Sequence, residues 1–400
     1  MPENAKVPAI RFTGFTDAWE QRKLGDLAEF NPKAEVPDTF EYVDLESVIG
    51  TEMIAHRREN RAYAPSRAQR LAKQGDLFYQ TVRPYQKNNY LFEKPDKDYV
   101  FSTGYAQMRP YQDGCFLLCL VQNETFVKDV LDNCTGTSYP AISSSDLAKI
   151  DVYIPKNVSE QAAIGRFIRN LDNLITLHQR EYNKTINIKK AMLEKMFPKN
   201  GADRPEIRFA GFTDAWEQRK VGEIASNIER PFTMRDSEVY QLVTVKRRNE
   251  GVVSRCFLKG KDILVKNYFE IRAGDFIISK RQVIHGGNGL VPESLDRSVV
   301  SNEYLIIISN NTISSRFWTL ISKRHEMYRI FFLSSYGVDV EKMVFNVEDW
   351  KKRNVTIPSM PEQNRIVEYF DHLDNLITLH QRELEKLQNM KKALLEKMFI

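Results

Sequence analysis

Basic and amide side chains gather at corresponding places in the two halves of the chain. The clearest groups follow two short Gly-Asp strands, one starting at Gly75 and the other at Gly274. Arg, Lys, Gln and Asn can hydrogen-bond the edges of guanine and adenine in the major groove of DNA, and Arg and Lys also bind phosphate. A loop that is merely solvated has a similar composition, so the prediction depends on the matched location of the groups. The residues predicted to contact DNA are Arg57, Arg58, Gln80, Arg83, Tyr85, Gln86, Lys87 and Asn88 in the first half, and Lys246, Arg247, Arg248, Lys280, Arg281, Gln282, His285 and Asn288 in the second.

The motifs of common catalytic sites are missing from the sequence. It contains no Walker A loop, no GxGxxG after a strand, no HExxH, no GxSxG and no CxxC pair. The amino-methyltransferase tetrapeptide also fails, because Asn31-Pro32 is followed by Lys33. Cys115 and Cys119 fall on one face of a strand predicted at CFLLCL, where they should fill the core rather than bind metal. We therefore predict no catalytic residue, no metal site and no bound cofactor, as in a binding protein rather than an enzyme.

Composition places the chain among globular proteins. Hydrophobic residues make up 42% and charged residues 28% of 400 residues, which suits roughly two to four domains. The net charge of +5 and the pI near 8.8 permit nucleic-acid binding without requiring it. No apolar run approaches the ~20 residues of a membrane span, and the N-terminus lacks an apolar signal segment. We expect a cytoplasmic protein with no membrane association.

An internal repeat is the strongest feature of the sequence. Residues 11–30 (RFTGFTDAWEQRKLGDLAEF) and 208–227 (RFAGFTDAWEQRKVGEIASN) share 14 of 20 positions. Residues 161–197 and 363–399 share 23 of 37 positions, including an unbroken LDNLITLHQRE. Two units of about 200 residues account for the whole chain, a period much longer than the ~20–50 residues of solenoid repeats. The pattern therefore indicates a duplicated chain and predicts an object with an internal pseudo-twofold relation.

The segments between the repeated blocks have diverged but keep common anchors. GDLFYQ corresponds to GDFIIS, STGY to SNEY, and SDLAKIDVYIP to EDWKKRNVTIP. Strands are predicted in YVFSTGYAQMRP, CFLLCLV, GDFIISK and SVVSNEYLIIIS, and one helix from Phe317 to Ser335. The repeated GFTDAWEQRK segments predict a short turn with a buried Trp that leads into a helix. One mixed fold carrying two different surfaces is expected.

Residues 161–197 and 363–399 predict two long helices. Their apolar residues alternate at spacings of three and four, which gives a heptad-like stripe, and Ser159 is the predicted N-cap of the first helix. A helix of 37 residues is about 55 Å long, and its stripe needs a partner, which should be the other copy. The predicted seam residues are Leu171, Leu174, His178, Leu373, Leu376 and His380.

Two histidines fall at the centres of these helices. His178 and His380 each lie one residue before the midpoint of their segments. An antiparallel pair of helices brings together residues that are equally far from the two centres. The two imidazoles should therefore meet across the seam. Either they form a central polar contact that fixes the register, or each fills its seam position and bonds a neighbouring Asn or Glu.

Together these features resemble the specificity subunit of type I restriction–modification systems. The resemblance rests on the FTDAWEQRK openings, the GD strands, the IP…EQ helix starts and the LDNLITLHQRE…EKMF helices, and it covers both units. It implies two target-recognition domains, each reading one half of a bipartite, asymmetric site in double-stranded DNA. It also implies that an antiparallel coiled coil sets the gap between the half-sites. DNA contacts are then expected partly in the loops after the GD strands, at 83–89 and 280–288.

The resemblance also implies partners. Two modification subunits would bind S-adenosylmethionine, and restriction subunits would use ATP and magnesium, while this chain would hold no cofactor and catalyse nothing. The competing hypotheses are a fused methyltransferase or nuclease, and a coiled-coil scaffold without DNA specificity. A test for activity of the isolated chain separates the first of these, and a gel shift with DNA at several salt concentrations separates the second.

The expected fold class is α+β, with two similar mixed recognition domains joined by two long helices. The predicted boundaries are 1–156 for the first target-recognition domain and 157–200 for the first conserved helix. The second recognition domain is predicted at 201–358 and the second helix at 359–400.

Overall fold

A computed structural model describes residues 7–95, 98–136, 138–199, 201–264 and 267–400. The chain forms two compact units, one made of Met1–Glu181 with His380–Ile400 and the other of Tyr182–Leu379. Each long helix therefore contributes its N-terminal part to one unit and its C-terminal part to the other. In the described residues, no helix is long and apolar enough to cross a membrane.

In its described residues, the first unit combines short strands with three short helices and parts of both long helices. Its main sheets have the strand orders β2-β11-β8-β9 and β6-β3-β10-β7, and β1 pairs with β12. The elements are β1 (Glu20–Lys23), β2 (Ala28–Phe30), β3 (Thr39–Val43), β4 (Val48–Ile49), β5 (Glu52–Met53), β6 (Arg57–Asn60), β7 (Ala68–Leu71), β8 (Leu77–Gln80), β9 (Tyr90–Leu91), β10 (Tyr99–Ser102), β11 (Tyr105–Pro110), α1 (Gly114–Gln122), α2 (Glu124–Asp132), α3 (Ser144–Leu147), β12 (Asp151–Ile154) and α4 (Val158–Lys195).

The second unit repeats this arrangement. Its main sheets have the orders β14-β21-β18-β19 and β16-β15-β20-β17, and β13 pairs with β24. The elements are β13 (Glu217–Lys220), α5 (Val221–Ile224), β14 (Ala225–Asn227), β15 (Val239–Lys246), β16 (Gly251–Lys259), β17 (Tyr268–Glu270), β18 (Phe276–Ser279), β19 (Asn288–Leu290), β20 (Val299–Ser301), β21 (Tyr304–Ser309), α6 (Ser315–Ser322), α7 (His325–Leu333), β22 (Ser335–Tyr336), β23 (Val344–Phe345), α8 (Val347–Lys352), β24 (Asn354–Ile357) and α9 (Met360–Lys397).

The two units share one topology. Strand by strand, the three sheets of the first unit have counterparts in the same order in the second, including one parallel contact, β3 with β10 and β15 with β20. The predicted α+β class and the duplicated fold are thus confirmed. The β4–β5 hairpin of the first unit lies between β3 and β6, at the tip of a hairpin whose counterpart in the second unit is the continuous β15–β16 ladder. The β22–β23 hairpin of the second unit corresponds in position to the isolated bridge between Thr135 and Ala141 in the first.

The repeated opening segment places a tryptophan in each core. Trp19 and Trp216 are each 4% exposed. Their indole N–H groups lie 3.4 Å from carboxylates of Glu160 and Glu362, at the start of the long helices. Each carboxylate also binds the Arg of the same opening segment through two hydrogen bonds, with distances of 2.6 and 2.8 Å in the first unit and 2.7 Å for both bonds in the second. In each unit, the Arg, Trp and Glu side chains therefore form a joint between the opening segment and the start of the long helix.

The ends of the long helices complete these cores. Phe399, after α9, packs edge-on against Trp19 in the first unit, with ring centroids 6.0 Å apart. Phe197, after α4, packs in the same way against Trp216 in the second unit, at 5.7 Å. Burying a phenylalanine side chain is worth roughly 1.5–3 kcal/mol. The repeated EKMF ending thus has a packing role in both units.

The two helices run antiparallel within each unit. In the first unit, Asp172 of α4 forms an ion pair with Lys391 of α9 at 2.6 Å. In the second, Lys189 of α4 pairs with Asp374 of α9. These pairs are copies of one contact, because each residue lies 202 positions from its counterpart. The predicted antiparallel coiled coil is confirmed.

Several local predictions were wrong. The segment CFLLCL belongs to helix α1, since an apolar run of this length fits a buried helix as well as a strand. Cys119 is a core residue at 5% exposure, whereas Cys115 is half-buried. Burial raises the pKa of Cys115 to about 11 and also raises that of Cys119. The helix predicted from Phe317 to Ser335 is divided between α6 and α7, with Lys323 and Arg324 at the junction.

The starts of other elements also differ from prediction. The buried Trp residues are followed first by the strands β1 and β13, and only then by single helical turns. Asn157, rather than Ser159, caps α4, because its side-chain oxygen accepts the Ser159 backbone N–H at 2.9 Å. The neighbouring Gln161 donates to the Pro155 carbonyl at 2.9 Å, which explains the Pro…Glu-Gln motif.

Candidate nucleic-acid interface

The Gly-Asp motif holds each predicted loop on a rigid strand. Gly75 and Gly274 have positive φ angles of 94° and 86°, which glycine adopts without strain. The following Asp76 is buried and forms an ion pair with Arg109 at 2.8 Å. Asp275 is likewise buried and pairs with Arg230 at 2.6 Å. The hydrogen bond to each carboxylate raises the pKa of its arginine, so these pairs are structural anchors.

In the second unit, two of the predicted clusters meet. The tip of the β15–β16 hairpin, residues 247–250, docks on the turn after β18 through backbone bonds from Arg248 N–H to His285 and from Asn249 N–H to Gly286. A side chain at Gly286 would come within 2.8 Å of the Asn249 nitrogen, so this approach requires glycine. Arg247 also donates to Gln282 at 2.6 Å. The structure thus makes Arg247, Arg248, Gln282 and His285 one surface.

The basic residues on and near this surface differ in their exposure and in their ion-pair partners. Arg248 is exposed and has a left-handed φ of 59°, an uncommon conformation for a residue with a side chain. Arg281 is exposed and pairs with Glu303 at 2.7 Å, which raises the pKa of the guanidinium. Lys280 donates to the Asn302 carbonyl at 2.7 Å, and Lys246 lies 3.7 Å from Glu250. Such exposed pairs are weak and can exchange for phosphate contacts.

The corresponding loop of the first unit is held differently. Arg83 and Lys87 have left-handed φ angles of 56° and 55°. The Arg83 guanidinium lies 4.6 Å from the ring centroid of Tyr139. Lys87 donates to the Gln122 carbonyl at 3.1 Å and to the Glu124 carboxylate at 2.6 Å. Lys87 is thus partly engaged in closing the loop against the α1–α2 junction.

Other predicted contacts of the first unit vary in exposure. Tyr85 is 50% exposed and Gln86 is also exposed, so both side chains are accessible. Asn88 is half-buried and accepts the backbone N–H of Gly50 at 2.8 Å. Arg57 and Arg58 project from strand β6 with exposed side chains. Hydrogen bonds with Arg57 and Ser47 outweigh burial and lower the pKa of Asp44, so the Arg57 charge is partly compensated.

Two predicted DNA contacts are contradicted by burial. Gln80 and Asn288 are each 2% exposed. The Gln80 amide donates to the Val82 carbonyl at 2.6 Å and to Gln86 at 2.8 Å, so it supports the loop from within. Both residues lie at the ends of strands whose two faces are covered: all four residues of β8 are buried, as are Asn288 and Gly289 of β19. The remaining DNA-contact residues stay predictions.

The predicted helix seam is correct at most of its positions. Leu171 and Leu373 are each 6% exposed. His178 and His380 meet with their Nδ1 atoms 3.2 Å apart, which confirms the expected central contact. Leu376 is half-buried, whereas Leu174 is 45% exposed and lies outside the seam. Leu174 and Leu376 occupy the same position of the copied LDNLITLHQRE block, so apolar spacing alone does not decide which of them is covered.

Three basic residues of the second unit were missed from the sequence. Lys323, Arg324 and His325 border a cavity with the hairpin tip and the turn after β18. The sequence predicts one continuous helix across these residues, although the adjacent Lys, Arg and His are a signal for a basic cluster. In the described residues, no group of three or more His, Cys, Asp or Glu side chains could hold a metal ion.

Comparison with known proteins identifies the duplicated architecture. A family model described as the type I restriction modification DNA specificity domain matches residues 16–187 and again residues 213–389. The chain belongs to this DNA specificity family. The two matches cover both units, so the duplication seen in the sequence is a duplication of the specificity domain.

Relatives of the DNA specificity family share low identity with this chain. The HindI specificity subunit of Haemophilus influenzae is 27% identical over 195 residues, which are 45% of this chain and 40% of the relative. The MjaVIII specificity subunit of Methanocaldococcus jannaschii is 21% identical over 292 residues, 68% of this chain and 66% of the relative. The chain thus spans less than two thirds of either relative. A type I S subunit from M. genitalium has a similar fold, with a TM-score of 0.60, 12% identity, and 98% of this chain and 99% of that chain covered.

Proposed function

We propose that this chain is a sequence-specific DNA-binding subunit that reads a bipartite, asymmetric site in double-stranded DNA. Each specificity domain reads one half-site with the loop after its Gly-Asp strand. The observation that carries the proposal is the contrast between matching strand orders and unlike loops at one position, 83–89 and 280–288. A duplicated scaffold with different reading loops suits a site whose two halves differ.

The chain acts as an adaptor in this proposal. It holds no cofactor and catalyses nothing, while two modification subunits bind S-adenosylmethionine and methylate the DNA. Restriction subunits, which use ATP and magnesium, join through the modification subunits and cleave. The expected place of action is the cytoplasm.

The long helices support the docking of two like partners. Leu177 and Leu379 are counterparts 202 positions apart, and each is 53% exposed on the outside of its helix. Leu174 is exposed nearby in the first copy. Exposed leucines repeated at corresponding positions are typical of a protein interface. Because the surrounding LDNLITLHQRE sequence is copied without change, both surfaces suit the same partner.

The decisive experiment maps methylated bases in living cells. The chain is expressed with its modification subunit, and the genomic DNA is sequenced for methylated adenines. The expected result is one motif with two defined halves and a fixed gap. In a chimera, residues 42–151 are replaced by the matching segment of another family member. One half of the motif should change, while the other half and the gap persist.

Two results would contradict the proposal. A folded chimera that loses both halves together would mean that the two domains form a single reading surface. A full chain that shifts no duplex DNA at low salt, alone or with its modification subunits, would favour the coiled-coil scaffold without DNA specificity. Methylation or cleavage by the chain alone would favour the enzyme hypothesis.

A further inference from the structure

An open, basic cavity of about 560 Å³ lies in the second unit beside the predicted reading loop. Three segments form it: the β15–β16 hairpin tip, the turn at 283–286, and the junction between α6 and α7. Its lining contains no described Asp or Glu. The lining cations and imidazoles are Arg247, Arg248, His285, Lys323, Arg324 and His325.

Part of this charge is already compensated from outside the cavity. Arg247 contacts Glu341 at 3.0 Å, and Arg324 contacts Glu326 at 3.0 Å. Arg324 is largely buried over the Phe197 ring, at 4.2 Å from its centroid, and this burial lowers the pKa of the guanidinium. A buried, incompletely paired guanidinium is stabilised when an anion approaches.

Two other described cations of the cavity lack such compensation, and two buried polar atoms make no hydrogen bond. Among the described residues, Arg248 and Lys323 take part in no ion pair. The Nε2 atom of His285 is buried, makes no hydrogen bond and lies 3.5 Å from a Glu341 carboxylate oxygen. The buried Oδ1 atom of Asn249 also lacks a hydrogen-bond partner. Buried polar atoms without partners are uncommon in native proteins, and a bound water or ion can supply the missing partner.

The backbone adds to the positive potential. Helix α7 begins at His325 with its N-terminus at the cavity, and its N-cap Arg324 makes no side-chain capping bond. The first-turn N–H groups of a helix and its dipole favour anions. Side chains from three segments and the start of one helix therefore converge on the same space.

We propose that this cavity binds a backbone phosphate of the DNA whose bases the adjoining loop reads. The inference rests on the proposed function, because Arg247, Arg248 and His285 belong both to the cavity and to the predicted reading surface. A cavity of this size accommodates a phosphate with its flanking sugars. The contact fixes the position of the duplex and carries no sequence information itself.

The first unit provides an internal contrast. At the corresponding junction, α2 begins with Glu124 where α7 begins with His325. Lys87 binds Glu124 and the Gln122 carbonyl there. The first unit thus pairs this cation with its own carboxylate, whereas the second leaves basic groups for an external anion.

The test measures duplex binding by the full chain with its modification subunits at several salt concentrations. The probe is a random-sequence duplex of about 30 base pairs, since a phosphate contact is independent of sequence. The variants are Lys323→Gln, His325→Gln and the double variant, and Lys259→Gln is the matched control. Lys259 is exposed on the same hairpin, eight ladder positions from the tip, or roughly 25 Å away.

The expected result is a weaker, less salt-dependent complex for the cavity variants. Losing one phosphate contact should reduce the slope of log K against log salt by about 0.9. The Kd should rise about 3- to 10-fold at low salt, a change of roughly 0.7–1.4 kcal/mol. The ratio of target to non-target affinity should stay unchanged, and Lys259→Gln should match the parent.

Different outcomes contradict the proposed function and the phosphate site. If the parent chain binds no duplex, the proposed function fails. If the parent binds with a clear salt slope but the cavity variants match Lys259→Gln, only the phosphate site is wrong. A cavity variant that changes the preferred bases, with unchanged thermal melting, would overturn the backbone-phosphate assignment in favour of base reading.

Discussion

The joint at the start of each long helix and the loop after each Gly-Asp strand have diverged to very different extents. The joint is almost identical in the two units: Arg11, Glu160 and Trp19 make the same contacts as Arg208, Glu362 and Trp216. The loops share only their position. One is fastened by Lys87 to Glu124, and the other by a docked hairpin.

This difference shows where the duplicated chain is constrained. The joint buries a carboxylate at 1% exposure, so every change there leaves a charge without its partner. The loops lie at the surface on a strand that is anchored from behind by a buried Asp-Arg pair. They can change without loss of the fold, which is what divergent recognition requires.

The largest expected effect comes from breaking the joint. Glu160→Ala or Glu362→Ala leaves a buried arginine and an indole N–H unpaired, so each should cost about 3–5 kcal/mol of unfolding free energy. Urea denaturation measures the loss. Both variants should be affected alike. The matched control, Glu59→Ala, breaks the exposed pair with Arg57 and should cost less than about 1 kcal/mol. A large difference between the Glu160 and Glu362 variants would break the equivalence of the two joints.

Substitutions in the two loops should differ in their effects, whereas substitutions at the two joints act alike. Each loop substitution should change only the half-site that its own unit reads. Arg83→Ala should relax a position in one half of the methylated motif, and Arg281→Ala a position in the other. Each base-reading contact is worth about 1–3 kcal/mol of binding free energy. Affinity for duplexes mutated one position at a time measures this. If either variant weakened both half-sites equally, the division of labour between the loops would be wrong.

The histidine pair lies near the middle of the two long helices and tests the contact between them. The two imidazoles can share a hydrogen bond at the observed 3.2 Å between their Nδ1 atoms. Replacing both His178 and His380 with Leu should raise the free energy of unfolding by about 1 kcal/mol, because apolar packing replaces a partly buried polar pair. Urea denaturation of the parent and the double mutant provides the measurement, and a double mutant that is less stable than the parent would contradict this expectation.

The smallest expected effect is at the closure of the first loop. Glu124→Gln removes the charge that holds Lys87, an exposed pair worth about 0.2–1 kcal/mol. The released ammonium should then strengthen non-specific duplex binding slightly and steepen its salt dependence. Gel shifts at two salt concentrations test this, with Asp129→Gln, on the same helix, as the control. Weaker binding by Glu124→Gln would mean that the ion pair positions the loop for DNA.

Several features of the fold could be predicted from the sequence because they depend on repeated local patterns. The alternating apolar spacing predicted the long helices, and the copied LDNLITLHQRE blocks placed His178 opposite His380. The Gly-Asp anchors located the two loops. The apolar run around Cys115 and Cys119 was misassigned because periodicity cannot separate a short buried helix from a strand.

Sequence alone determined the duplication, the fold class, the pairing of the helices and the position of the two loops after the Gly-Asp strands, because each depends on residue spacing along the chain. Tertiary structure decided which polar residues are available. Gln80 and Asn288 turned inward, Leu174 turned outward, and Lys323 and His325 came together with Arg248 from distant parts of the second unit. Exposure and charge clustering depend on which segments pack together in space, and no local spacing rule encodes that packing.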